Sequence, residues 1–438
     1  AFLDNVDGAA IVAEMQNGPV VMFMGNKLGA FPNDVGAVKG EFLISPYGGA
    51  NNDIFNGFEV GLQVYNYGSM DQPNLTANAQ ISHETNGVVY DETVSIPLNS
   101  GDTAFVFPGN ATTFPAFDLG GVGNYADGNY TLTYTISTGG VDDFPFDNVY
   151  TAEFKVANDV LSSSRLDASN LPIANGYPSN STTEYQSCWM VQEPNIGGML
   201  AYGTWIVPHA DTSVDQLAGA EIFVNAYQWD DAWVDLNDPN YQFDPTTNDA
   251  FQNLNLITFG THYPASDNDV DQPAFVTFQT PFAMQDNVRY LFCAQTFEST
   301  TISFGYDNAL DYGANYSIYA QPVSPVHVDG QWYAAGWNGF SAPSMAIHQT
   351  HLGIEEGQMV EGTAFPNPMK DKVTISVNID GDANLTVTDV SGKVAMNKNI
   401  TMVNGQAIVN TASLATGVYV FNVKFENGQT SQFNIVKQ

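Results

Sequence analysis

The chain has 438 residues, of which 44% are hydrophobic, 13% aromatic and only 13% charged, and its formal net charge is −36. That length holds roughly two to four domains, and the abundance of Tyr, Phe, Thr, Val, Asn and Gly favours strands and turns over helices. Eleven Lys and Arg against 47 Asp and Glu exclude nucleic acid as a partner, because phosphate binding needs clustered cations, and they disfavour an anionic membrane surface.

Residues 1–51 read as an N-terminal β segment that could form part of the first sandwich. Ala9 to Met15 fits either a strand or a short helix, Val20 to Met24 fits a buried strand, and Gly48 to Asp53 is a loop by composition. No stretch approaches eighteen consecutive apolar residues, so no transmembrane helix is expected.

From Phe55 the period-two pattern is plain. Phe58, Val60, Leu62 and Val64 alternate with Glu59, Gly61 and Gln63, and Leu75, Ala77, Ala79 and Ile81 repeat the alternation. Tyr130, Leu132 and Tyr134 share one face of a later strand, and a last strand surrounds Phe154 to Val156. Strands every 8–12 residues with polar turns between them argue a β-sandwich over 52–158. The order Val64-Tyr65-Asn66-Tyr67-Gly68, Leu98 to Asp102, Gly128 to Tyr134 and Asp142 to Asn148 resembles the adhesion-related Ig-like repeats of bacterial surface proteins. That resemblance implies a spacer or adhesion module and brings no catalytic residue with it.

Asn158 to Thr183, with its Ser162-Ser163-Ser164 run, reads as a polar connector. A larger module follows over 166–350, with strand candidates at Cys188 to Val191, Ala201 to Val207, Ala220 to Tyr227, Leu256 to Phe259, Ala274 to Phe278, Arg289 to Ala294 and Thr301 to Phe304. A jelly-roll-like sandwich of eight or more strands fits this length. Residues 351–361 are a short acidic linker.

Residues 362–438 differ in charge from everything before them. They carry six Lys against five acids, whereas the preceding residues carry five basic residues against 42 acids, a net of −37. Such a body repels its own copies and stays soluble at low salt, and a marine or calcium-rich setting would screen the repulsion. Val373, Ile375 and Val377, then Leu385 and Val387, alternate as half-buried strands do. Asn404-Gly405 and Asn427-Gly428 are tight-turn dipeptides, and Pro366 and Pro368 block pairing where the segment begins. A small seven-stranded Ig-like sandwich is expected. Pro366-Asn367-Pro368, Asp389 with Gly392-Lys393, Gly417 with Tyr419, and the basic penultimate Lys437, in this order and spacing, resemble the type A C-terminal sorting domain of the type IX secretion system of Bacteroidetes. The resemblance implies export through the periplasm and outer membrane, with the outer-membrane translocon or a shuttle β-barrel as partner of 362–438. It further implies that Ala1 is a mature N-terminus whose leader has been removed.

Several constellations could carry chemistry. Asp267, Asp269 and Asp271 place alternating carboxylates in a loop, as a hard cation such as structural Ca²⁺ requires, although the EF-hand Gly and Glu positions are absent. Asp230, Asp231, Asp235 and Asp238, and Asp142, Asp143 and Asp147, are further acidic sets whose alternative reading is solvated turns. Tyr227, Trp229 and Trp233, with Trp332 and Trp337, could form a platform that stacks on glycan rings, or could be core. Cys188 and Cys293 permit one disulfide in an exported chain, the alternative being two buried thiols. Asp102-Thr103-Ala104 is a short O-glycosylation-like pattern. The six His occupy no nucleophile or zinc motif; His348 and His351 belong more naturally to a strand. The chain is therefore expected to be an all-β tandem of sandwiches that acts without catalysis in adhesion, a surface layer or an extracellular matrix. Carbohydrate capture is the alternative, with a cryptic hydrolase after it.

Overall fold

The computed structural model describes residues 11–16, 18, 27–178, 183–214, 216–244, 246–298, 302–337, 341–351, 362–389, 394–425 and 430–438. Residues 11–14 are helical, which settles the first ambiguous stretch; the expected strand over 20–24 lies outside the described residues. The chain divides into two compact units, 1–351 and 352–438.

In the first unit a nine-stranded sheet runs in the order Ala274–Ala283, Met199–Ile206, Ala346–His351, Val160–Ser162, Gly49–Asn51, Val149–Ala157, Gly128–Ser137, Thr76–His83, Gly87–Ser95. One end of it faces a three-stranded sheet of Val35–Gly36, Leu62–Asn66 and Thr103–Val106. The other end faces a six-stranded sheet in which Ile222–Trp229, Tyr290–Thr296 and Tyr185–Val191 are central. The architecture is two sandwiches in tandem along the chain.

The alternation seen in the sequence sets each inward face. Tyr130, Leu132 and Tyr134 are all buried, and the Tyr134 hydroxyl bridges the layers by donating to the Leu43 carbonyl at 2.9 Å while accepting from the Gly61 N–H at 3.0 Å. In the second sandwich Phe278 and Phe292, from opposite sheets, stack with ring centroids 6.3 Å apart. One core runs through both sandwiches and includes Val64, Tyr134, Leu161, Val224 and Phe292.

The expected boundaries at 51/52 and 158/166 do not divide this unit. Gly49–Asn51 pairs in parallel with Val149–Ala157 and touches Val160–Ser162, which in turn pairs with Ala346–His351. The start of the stretch read as a polar connector is therefore a buried strand, Val160–Ser162, at the middle of the sheet, with Leu161, Ser162, Ser163 and Ser164 fully enclosed. Serine tolerates this because its short hydroxyl finds backbone carbonyls within reach and is itself satisfied there. Ser162 Oγ donates to the carbonyls of Ser164 (2.8 Å) and Met345 (2.9 Å), and Ser163 Oγ donates to that of Pro343.

The second unit is a sandwich of seven strands. Gly362–Phe365, Lys372–Val377 and Gln406–Asn410 form one sheet; Val394–Met402, Gly381–Asp389, Gly417–Phe425 and Thr430–Lys437 form the other. Val373, Ile375, Leu385, Val387, Val409, Phe421, Val423 and Ile435 fill its interior. Asn404 and Gly405 both have positive φ, 51° and 71°, as a two-residue hairpin turn demands of its central pair. Asn427-Gly428 lies outside the described residues.

Candidate functional site

The residues with the densest motif pattern meet at one end of the C-terminal sandwich. Asn367 sits between two prolines that cannot donate to a ladder, so its side chain does the pairing. Its Nδ2 donates to the Asn434 carbonyl at 3.0 Å, and its Oδ1 accepts from the Val436 N–H at 2.9 Å. Met369, fully buried, adds backbone bonds to Val436 (2.7 Å) and Gln438 (3.0 Å). The chain around Pro368 thus holds the end of the final strand.

Lys437 is the counterpart from the other side. Its side chain is almost wholly buried, and its ammonium donates to the Lys370 carbonyl at 2.5 Å and lies 3.6 Å from Asp371. Thr411 Oγ1 donates to the same Lys370 carbonyl at 3.0 Å. Gly417 is the register partner of Lys437 and Tyr419 that of Asp389, and the Tyr419 hydroxyl closes a turn by donating to Ala415. Pro366, Asn367, Pro368, Gly417 and Lys437 therefore form one cluster, with Tyr419 and Asp389 on the neighbouring register pair. Gly392 and Lys393 lie outside the described residues. Met369 and Thr411 belong to the cluster too, and no motif letter pointed to them because their roles are burial and a single hydroxyl bond.

Residues 363–437 match the family described as the secretion system C-terminal sorting domain. The second unit is a type IX sorting domain. This domain marks the chain as cargo of the type IX system, destined to leave the cell. Among the described residues no helix is long and apolar enough to cross a membrane. Among curated proteins, none matches the chain. Solved structures similar to it include a biofilm-associated protein BSP domain, at 12% identity over 96% of this chain and 84% of that one, TM-score 0.18. A Ruminococcus gnavus β-glucuronidase follows at 7% identity over 66% of this chain and 38% of that one, TM-score 0.15, and an E. coli α-2-macroglobulin at 10% identity over 93% and 20%, TM-score 0.18. At these TM-scores none of the three carries an argument.

In the first unit the expected constellations resolve differently. Asp267 Oδ1 accepts the N–H groups of Leu217 and Ala218, Asp269 Oδ2 accepts those of Ala265 and Ser266, and Asp271 Oδ1 meets His209 Nδ1 at 2.7 Å. The three carboxylates turn to three different partners, and Asp267–Asp269 form a capped helical turn. Among the described residues no three His, Cys, Asp or Glu side chains are grouped to hold a metal. Asp235 and Asp238 cap turns through Asn237, Val234 and Asn240, and Asp142 and Asp143 bind the backbone of Val35, Phe144 and Asn33.

The aromatic set, readable as a glycan platform or as core, is mostly core. Trp229, Trp233 and Trp332 are each less than 10% exposed. They cover the outer face of the six-stranded sheet, where Cys188 and Cys293 stand opposite each other on neighbouring strands and are joined by a disulfide. Phe251 is stacked between Trp229 (4.5 Å) and Trp332 (4.4 Å). Arg289 lies 3.6 Å over the Trp233 ring, and Trp229 Nε1 donates to Asp231 and to the Ala250 carbonyl. Tyr227 packs at the edge of this cluster, while Trp337 donates to the Tyr185 hydroxyl on the other side of the sheet. A loop of 24 residues between the strands ending at Trp229 and beginning at Leu254 needs apolar anchors to stay on the sheet, and these rings supply them.

Proposed function

We propose that the exported body is a non-enzymatic protein of the cell surface or its surroundings, contributing to adhesion, a surface layer or an extracellular matrix. The carrying observation is the pairing of a sorting domain with a large body whose acids and tryptophans serve turns, caps and a buried cluster. A continuous core through two sandwiches suits a mechanically coherent spacer, because force on either end is borne by one sheet. The −37 charge of residues 1–361 keeps neighbouring copies apart unless cations screen them.

The test is made in the producing bacterium. Removing 362–438 is expected to leave the body inside the cell, and removing 27–351 while keeping the sorting domain is expected to abolish attachment without blocking export. Normal attachment by cells lacking the body, or turnover of a substrate by the purified chain, overturns the reading.

A further inference from the structure

We infer that the seam between the two sandwiches is a binding cleft for a saccharide ring that is uncharged or basic. The cleft, about 330 Å³, is within the size range of small-molecule sites. Its walls come from chain segments far apart: Tyr47, Phe58 and Glu59 from the first sandwich, Trp189 and Glu193 from the second, and Tyr319 with Gln321 from the helix Gly313–Tyr319 and the turn after it. The helix is fixed to the first sandwich by Asn315, whose Oδ1 and Nδ2 bind the N–H and carbonyl of Ile44 at 3.2 and 2.9 Å. The cleft is therefore a preformed part of the fold.

The aromatic walls can take the apolar C–H face of a ring, and Tyr319 keeps 37% of its surface exposed at the rim. Acceptors stand on several sides of the cleft. Gln321 Oε1 is buried and has no hydrogen-bond partner among the described residues, although its Nε2 donates to the Val234 carbonyl at 2.8 Å. Glu193 accepts from the Tyr47 hydroxyl, which leaves further lone pairs on its carboxyl. Glu59 lines the opposite wall beside Tyr319. Partial burial pushes the Glu193 carboxyl up to about 7. A buried acceptor left unmatched is unfavourable, so a ligand rich in O–H or N–H donors gains where an acidic one is repelled. Hydroxyls or an amine on a ring with an apolar face satisfy every wall at once.

This inference deepens the proposed surface role but is tested without it, on purified full-length chain. Calorimetric titration would use three probes: oligomers of glucose, of glucosamine and of galacturonic acid. The glucose or glucosamine oligomer is expected to bind and the galacturonate oligomer not to. Tyr319→Ala and Glu59→Leu, whose side chains are not in the core, are each expected to weaken binding at least about tenfold, the loss of roughly 1.4 kcal/mol. Asp382→Asn, in the sorting domain, is expected to leave it unchanged, and thermal melts establish that each variant folds. No binding by any probe, equal binding of the acidic probe, or unchanged affinity in both folded cleft variants overturns the inference. Release of shorter oligomers overturns it as well, since the cleft would then be catalytic. Loss of attachment in cells lacking the body bears only on the surface role.

Discussion

Arg165 Nε donates to Asp307 Oδ2 at 2.8 Å across 142 residues of sequence, with the Asp307 side chain fully enclosed. Asp307 also accepts from the Arg165 and Ala309 N–H groups and from Asn175 Nδ2. Arg165 immediately follows the buried serines of the central strand, so this one carboxylate ties the middle of the long sheet to the second sandwich. Removing Asp307 takes the enclosed acceptor from these donors, at about 1–3 kcal/mol for a buried group left unmatched, while Arg165 keeps Glu153 at 3.1 Å. Asp307→Ala is expected to lower unfolding stability by that order, read as a reduced urea midpoint. A shift below about 1 kcal/mol would mean that the serine strand holds the halves together without it.

The disulfide should matter through the chain it closes. Cys188 and Cys293 are 105 residues apart, and loss of a native disulfide typically costs about 2–5 kcal/mol. Reduction is expected to lower the melting temperature. It should also alter tryptophan emission, because Trp229, Trp233 and Trp332 lie in the cluster that covers the bond. An unchanged spectrum on full reduction would show that the ring stack stands without the bridge.

Much of the fold was legible because burial follows period two. The inward sets Leu75, Ala77, Ala79 and Ile81, or Val373, Ile375 and Val377, need no knowledge of their partners. Ser162 to Ser164 misled for a physical reason: a polar run reads as exposed unless one knows which carbonyls lie opposite it, and Pro343 and Met345 are some 180 residues away. The tryptophans left two readings open for the same reason. Aromatic density looks alike whether the rings meet solvent or a long loop folded over a sheet. The cleft was invisible, since Glu59 and Glu193 lie in unremarkable sequence and become neighbours of one cavity only when the sandwiches share a sheet.

Glu193 makes the stability of this seam depend on pH. Its carboxyl titrates near 7 in the folded chain against an ordinary value of 4.5, chiefly because burial disfavours the charge, with the Tyr47 hydrogen bond opposing. The native state therefore holds the proton more tightly than the unfolded chain does. The contribution is fully present below about 4.5, is lost as pH rises to about 7 and is flat above. The total is up to about 3 kcal/mol at 1.36 kcal/mol per pH unit. Glu193→Gln keeps an acceptor for Tyr47 and removes the ionisation. The difference in stability between the two proteins, measured by urea melts from pH 4 to 8, is expected to grow in favour of the variant across that window. A constant difference would place the carboxyl in contact with solvent.

The sorting domain offers the sharpest separation of fold from recognition. Asn367 makes both of its bonds to the last strand, at Asn434 and Val436, while Lys437 reaches back from that strand to Lys370. If the cellular machinery reads the assembled end of the sandwich, loosening either tie should reduce export in proportion to the lost order. Asn367→Ala gives the exposed Val436 N–H and Asn434 carbonyl back to water and is expected to destabilise the domain by about 0.5–1.5 kcal/mol per bond lost. Lys437→Met keeps most of the buried stem and removes only the ammonium. It should cost little stability, yet it removes the one cation with a buried side chain at that end among the described residues. Export of full-length chain, quantified in medium and cell fractions, is expected to fall for both. A strong fall for Lys437→Met with a near-normal melt would show that the partner contacts the lysine itself. Normal export of Lys437→Met alongside failure of Asn367→Ala would show instead that what is recognised is the clamped final strand.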